Sequence, residues 1–199
     1  MARQSFPVVL SAPSGTGKTT LAHLLVDSMS NLEISVSYTT RARRGNEQEG
    51  LDYHFVDDAE FDAKIGRGAF LEWAKVHGDY YGTHQTQTEA VLAQGPVLFN
   101  IDVQGAEQLT TKFPDRCVTI FLLPESYEQM VEHIKNRGEM SEGDFKARLK
   151  SAEFELAKKD HFTHQVVNAE GKLSQTIETI AKIIEPYLTA TGAGIDKKF

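Results

Sequence analysis

The sequence predicts an α/β fold in which a parallel sheet, flanked by helices, is interrupted by one strand-rich insertion. Three observations carry this prediction. Nearly continuous apolar runs of buried-strand type recur at Phe6 to Ser11, Val97 to Asp102 and Val118 to Leu123, with helical-period segments around them. A glycine-bearing loop joins the first run to the first helical segment. Residues 34–84, by contrast, alternate apolar and polar and are broken by polar turns, which predicts a small strand-rich lobe. The 199 residues, 40% of them hydrophobic, suffice for one compact domain with inserted subregions.

The elements follow in order. Phe6 to Ser11 is a strand, and Leu21, Leu24, Leu25 and Met29 then recur at helical spacing. From Ile34 the alternation of Ile34, Val36 and Tyr38 predicts a strand, followed by a polar loop from Arg41 to Asp52 and a strand over Tyr53 to Val56. Phe61 and Ile65 mark a short helix stopped near Gly66 and Gly68; Phe70 to Val76 is extended, turns at His77-Gly78-Asp79 and returns through Tyr80-Tyr81-Gly82. A helix from about Gln85 to Ala93 ends at Gly95-Pro96, before the strand at Val97. Pro124 closes the strand at Val118 to Leu123; helices are predicted over Ser126 to Asn136 and from Ser141 or Asp144 to about Lys159, the latter with Phe145, Leu149, Ala152 and Leu156 on one face. Gln165 to Asn168 is a last strand, Leu173 to Leu188 a final amphipathic helix, and 192–199 a mobile tail.

Composition narrows the function. A formal net charge of -7 excludes a broad nucleic-acid surface, because phosphate backbones are bound by clustered Lys and Arg; any phosphate site must be local. The single cysteine, Cys117, lies in the apolar run Cys117 to Leu123 and reads as a small buried strand residue. No apolar stretch has the length of a membrane span and the first residues carry no secretion pattern, so the expected setting is cytoplasmic, with no membrane partner.

The strongest chemical signal is Ala12-Pro13-Ser14-Gly15-Thr16-Gly17-Lys18-Thr19, placed between a strand and a helix as a phosphate-binding P-loop requires. Glycines let backbone amides turn around phosphate oxygens, the helix adds its positive end, Lys18 supplies a point charge and the Thr19 hydroxyl can ligate Mg²⁺. Ala12 stands where the motif usually has glycine, which is tolerable if its φ is negative. This makes the core one of P-loop NTPase type.

The insertion holds Ser37-Tyr38-Thr39-Thr40-Arg41-Ala42-Arg43-Arg44-Gly45, Glu49 to Phe55, Phe70-Leu71-Glu72-Trp73-Ala74 and Tyr80-Tyr81-Gly82-Thr83. Together with the P-loop these segments resemble the guanylate kinases, and the likeness runs to the last helix. The resemblance implies transfer of the γ-phosphoryl group of ATP, with Mg²⁺, to GMP, and leaves open dGMP use and the choice between monomer and homo-oligomer. It implies Arg41, Arg44, Tyr53 and Tyr81 around the GMP phosphate, with Ser37, Glu72, Thr83 and Asp102 around the guanine. The chemistry agrees, since guanidinium forks and phenols satisfy phosphate oxygens, and a carboxylate accepts from guanine's N1 and exocyclic amine donors. ATP would lie on residues 12–19 with Thr20, and Asn168 resembles a position near the adenine.

The resemblance also divides the chain into a core (1–33, 94–124 and 161–191), a GMP-binding lobe (34–93) and a helical lid (125–160), and makes Lys18, Arg41, Arg137 and Arg148 the catalytic charges. Two positions depart from the family pattern: His133 replaces a lid arginine, and Asn100 replaces the first aspartate of an Asp-x-Asp pair. A sugar-phosphate kinase would not need Ser37, Glu72 and Tyr81 together, and a scaffold binding phosphorylated protein would not need Lys18 and Thr19. His161 and His164 lack the further ligands of a zinc site.

Overall fold

The apolar runs become the middle of a parallel sheet, because strands covered on both faces have no polar side to show to water. The computed structural model describes residues 5–136 and 140–189. Its elements are β1 (Pro7–Ser11), α1 (Lys18–Ser28), β2 (Glu33–Ile34), β3 (Ser37–Thr39), β4 (Tyr53–Phe55), α2 (Asp58–Gly66), β5 (Phe70–Val76), β6 (Asp79–His84) and α3 (Gln85–Leu92). They continue with β7 (Val97–Asn100), α4 (Val103–Lys112), β8 (Val118–Pro124), α5 (Tyr127–Lys135), α6 (Glu142–Ala157), a 3-10 turn (Lys159–His161), β9 (His164–Asn168) and α7 (Leu173–Thr189).

The main sheet has the order β2-β7-β1-β8-β9, and every pairing in it is parallel. Successive residues of β1 serve opposite faces: Val8 and Leu10 join Leu21, Leu25, Ile180 and Ile184 under α1 and α7, whereas Val9 joins Phe99, Phe121 and Leu109 under α4. Leu10 is fully buried between β7 and β8. Leu10→Ala should therefore cost about 3 kcal/mol of stability, read as a lower urea midpoint at unchanged m. Cys117, just before β8, is buried, and burial pushes its thiol up to about 12, so it is an unreactive packing residue.

The insertion forms a second sheet, β4-β3-β6-β5, with β3 and β4 parallel and the other pairs antiparallel. Its small core is aromatic: Phe61 from α2 stacks on Phe70 and Tyr80 at 4.5 and 5.3 Å. Two expectations need correction here. The run from Ile34 to Tyr38 is not one strand, because Glu33–Ile34 pairs with β7 in the main sheet while Ser37–Thr39 pairs with β4 and β6 in the second. The crossing between sheets falls at Ser35 and Val36, where alternation continues although the hydrogen-bond partner changes. In addition, α4 is not anticipated from the sequence. Asp102 caps it and Val103, Ala106 and Leu109 bury one side, but Gly105, Thr110 and Thr111 dilute its helical signature.

Helices α5 and α6 pack against each other through Met130, Ile134 and Ala152, and begin at serine caps, Ser126 and Ser141, whose hydroxyls accept the amides of Gln129 and Asp144. Arg137 and the tail at 192–199 lie outside the described residues. Among the described residues, no helix is long and apolar enough to cross a membrane.

Candidate active site

The turn from β1 into α1 is shaped by two glycines. Gly15 and Gly17 hold φ of 96° and 76°, which L side chains rarely adopt, and a Cβ on Gly15 would stand 3.3 Å from the Met130 carbonyl and the His133 Cβ. Among the described residues no side chain caps α1, and its first turn carries no acidic residue. The helix thus keeps its positive end for an anion. Ala12 is absent from the positive-φ residues, as its side chain requires; His77 and Asp115 are the non-glycine cases among the described residues. Lys18 Nζ donates to the Ile101 carbonyl at 2.6 Å, which stretches the ammonium from the loop to the C-terminal end of β7.

Side chains from three distant elements hold the loop's shape. Ser14 N donates to Glu155 Oε2 on α6 (3.0 Å), His133 Nδ1 on α5 donates to the Gly15 carbonyl (2.8 Å), and Asn168 Nδ2 at the end of β9 donates to the Thr16 carbonyl (2.8 Å). Because a carbonyl only accepts, His133 carries its proton on Nδ1. At the position of the expected lid arginine, the histidine therefore grips the loop backbone. Asn168 likewise turns its amide to the loop and does not line the cavity; its buried Oδ1 has no partner among the described residues. Glu155 is the functional candidate not read from sequence. It is 6% exposed and stands seven residues from Arg148, on the edge of an apolar stripe, where a buried carboxylate needs a donor.

A single cavity of about 320 Å³ runs from the P-loop to the second sheet. Ala12, Pro13, Ser14, Gly15, Thr16, Gly17, Lys18, Thr19 and Thr20 line one end, with Arg148 and Glu155 reaching in from α6. Arg41, Arg44, Tyr53 and Tyr81 line the other. Arg41 is 7% exposed, not a solvated loop residue: its guanidinium donates to Glu47 at 2.7 Å and to the Ala42 carbonyl at 2.7 Å, and lies 5.3 Å over the Tyr53 ring. Burial opposes the charge, but Glu47 and Tyr81 more than offset it and the Arg41 pKa rises. Burial also raises the Tyr53 pKa, so it stays a phenol able to donate.

Ser37, Glu72 and Asp102 complete the wall between the two ends. Glu72 is 3% exposed, and Thr83 Oγ1, fully buried behind it and off the cavity wall, donates to Oε1 at 2.5 Å. Burial, with the nearby Asp102 charge, pushes Glu72 up to about 7 despite the Thr83 bond. Asp102 caps α4, accepting from Gly105 N at 2.9 Å and Gln104 Nε2 at 3.0 Å. Asn100 Oδ1, also on the cavity wall, is buried without a partner among the described residues. No group of three or more His, Cys, Asp or Glu gathers to cage a metal among the described residues, His161 and His164 included. The structure therefore brings together every sequence-derived site residue except Arg137, which lies outside the described residues, and Thr83 and Asn168, which stand just behind the wall.

Comparison with known proteins covers almost the whole chain. A family model described as guanylate kinase matches residues 4–187. The guanylate kinase of Bartonella quintana (strain Toulouse) is 42% identical over 190 residues, 95% of this chain and 83% of the relative; that of Dechloromonas aromatica (strain RCB) is 39% identical over 93% and 91%. The crystal structure of guanylate kinase from Anaplasma phagocytophilum superposes with a TM-score of 0.75 at 31% identity, covering 94% of this chain and 88% of that one. A gluconokinase from Sinorhizobium meliloti 1021, at 13% identity and a TM-score of 0.52, shares the fold alone. The P-loop, the buried carboxylate and the matches over nearly its full length place this chain in the guanylate kinase family.

Proposed function

We propose that the protein transfers the γ-phosphoryl group of ATP to GMP, giving ADP and GDP. One observation carries the reading: a single cavity has the glycine-turned P-loop with Lys18 at one end and a buried carboxylate beside an arginine and tyrosine cluster at the other. The first end suits a triphosphate, the second a purine monophosphate whose base offers donors.

In this reading Lys18 and residues 12–20 hold the ATP phosphates. Arg41, Arg44, Tyr53 and Tyr81 hold the GMP phosphate, while Ser37, Glu72 and Asp102 meet the guanine, with Thr83 orienting Glu72. The acceptor phosphate has a second pKa of ~6, so at neutral pH it is already nucleophilic and needs no general base. An in-line attack then requires that two polyanions be held together. Lys18, Arg41, Arg137 and Arg148 meet that charge, and closure of residues 125–160 over 34–93 and the core excludes water.

The donor set fits Mg²⁺ arriving with the nucleotide. Thr19 stands on the cavity wall at the start of α1, Asn100 lines the same cavity and its buried Oδ1 has no partner among the described residues, and Mg²⁺ is commonly held by one or two protein oxygens plus phosphates and water. Bound there, the ion would withdraw negative charge from the phosphate oxygens.

The test is ADP production from MgATP with GMP, dGMP, IMP, AMP, CMP and UMP offered separately. GMP should exceed AMP, CMP and UMP by at least about a hundredfold in kcat/KM, because each presents a different donor pattern to a buried carboxylate. Activity only with a pyrimidine, with AMP or with a sugar phosphate would overturn the assignment.

A further inference from the structure

β5 is the edge strand of the second sheet, yet its open side is not bare. Trp73 N donates to Gln108 Oε1 at 3.2 Å, and Gln108 Nε2 donates to the Trp73 carbonyl at 2.8 Å. A carboxamide carries the same donor and acceptor pair as a peptide group, so Gln108 stands in for the missing neighbouring strand at one residue. That residue adjoins Glu72.

Three positions of α4 meet β5, at spacings of three and four that share one helix face: Gly105, Gln108 and Lys112. Lys112 Nζ donates to the Phe70 carbonyl at 3.5 Å. A Cβ on Gly105 would stand 2.3 Å from Glu72 Oε2, so the helix backbone lies directly against the carboxylate. The pairing of β5 with β6 slips between Phe70 and Glu72 and is regular from Glu72 onward, where Thr83 of β6 also holds the carboxylate, so β6 and α4 fix Glu72 from two sides. Val103, Ala106 and Leu109 meanwhile bury another face of α4 in the core of the main sheet, and Asp102 caps its first turn. One rigid helix thus carries Asp102 at its start and grips the strand that carries Glu72.

We infer that Gln108 is a positioning residue for base selection: by fixing the main chain beside Glu72 against α4, it sets where the carboxylate meets the purine edge. The inference rests on GMP as the acceptor. Gln108 is not among the residues that line the cavity.

Gln108→Met keeps length and helix propensity but loses both hydrogen bonds; Gln108→Glu keeps the acceptor for Trp73 N and loses the donor. In both variants the KM for GMP should rise about tenfold, and the ratio of kcat/KM for GMP over IMP, which lacks the exocyclic amine, should fall about tenfold, with KM for ATP within about twofold of wild type. A part confined to folding would lower Tm and the yield of active enzyme while leaving these ratios unchanged. If either variant is folded and matches wild type in GMP KM and in GMP-to-IMP ratio, the positioning role is overturned. Wild-type enzyme that does not use GMP overturns the acceptor assignment and this inference together, whereas wild-type use of GMP with unaltered variants removes only the latter.

Discussion

Replacing Lys18 with alanine should lower kcat by about a thousandfold, because in the proposed reaction its ammonium is the P-loop charge that meets the phosphoryl group being transferred. Its Nζ donates to the Ile101 carbonyl at the end of β7 at 2.6 Å, and both residues line the cavity. Since Lys18 stands at the P-loop end of the cavity, KM for GMP should stay within about threefold of wild type while kcat falls, the signature of an interaction made in the transition state. Steady-state ADP release under saturating MgATP measures both quantities. Wild-type turnover by Lys18→Ala would remove the P-loop from the mechanism.

Glu72→Gln should lower kcat/KM for GMP by about a hundredfold or more, because a neutral amide turns a donor toward a base edge that itself donates. The pH profile gives a sharper form of the same expectation. Burial, then the Asp102 charge, raise Glu72 from 4.5 to about 7, so the free protein holds a proton there under mildly acidic conditions. Guanine donors need the ionised carboxylate, so kcat/KM for GMP should fall as pH drops through about 7. The GMP phosphate adds its own inflection at ~6, which Glu72→Gln should retain while losing the higher one.

The stability consequence has the opposite sign to that of an ion-paired carboxylate. The folded state binds this proton more tightly than the unfolded chain, so the contribution of Glu72 is fully present below 4.5 and is lost as pH rises through about 7. A shift of that size corresponds to roughly 3 kcal/mol, given that the group is almost wholly buried. Glu72→Gln should therefore be more stable than wild type at pH 8 although it selects GMP poorly, which chemical denaturation at pH 5 and pH 8 would check. Equal stability at both pH values would mean that Glu72 ionises normally.

Much of the site was legible because its chemistry is local in the chain. The P-loop needs only neighbouring residues, so Gly15, Gly17, Lys18 and Thr19 between an apolar strand and a helix are visible as a unit, and the tolerance of Ala12 follows from the sign of one dihedral angle. The buried strands were equally plain, since covering both faces leaves an uninterrupted apolar run. The lobe residues Arg41, Tyr53, Glu72 and Tyr81 became readable only through their combined likeness to a family, because an arginine, a tyrosine or a glutamate on a strand says little alone.

Tertiary structure decided what depends on groups far apart in the chain. Ile34 and Tyr38 alternate as one strand would, but hydrogen bonds to β7 and to β6 send them to different sheets. His133, Glu155 and Asn168 grip the main chain of Gly15, Ser14 and Thr16 from 118, 141 and 152 residues away, and their residue types carry no mark of that task. From the sequence alone came the donor cradle, the layered α/β core and the residue types of the acceptor site. Only the folded chain settled that Thr83 orients Glu72 from behind and that α4 lies against it, because a carboxylate's environment is set by whatever backbone the fold packs beside it.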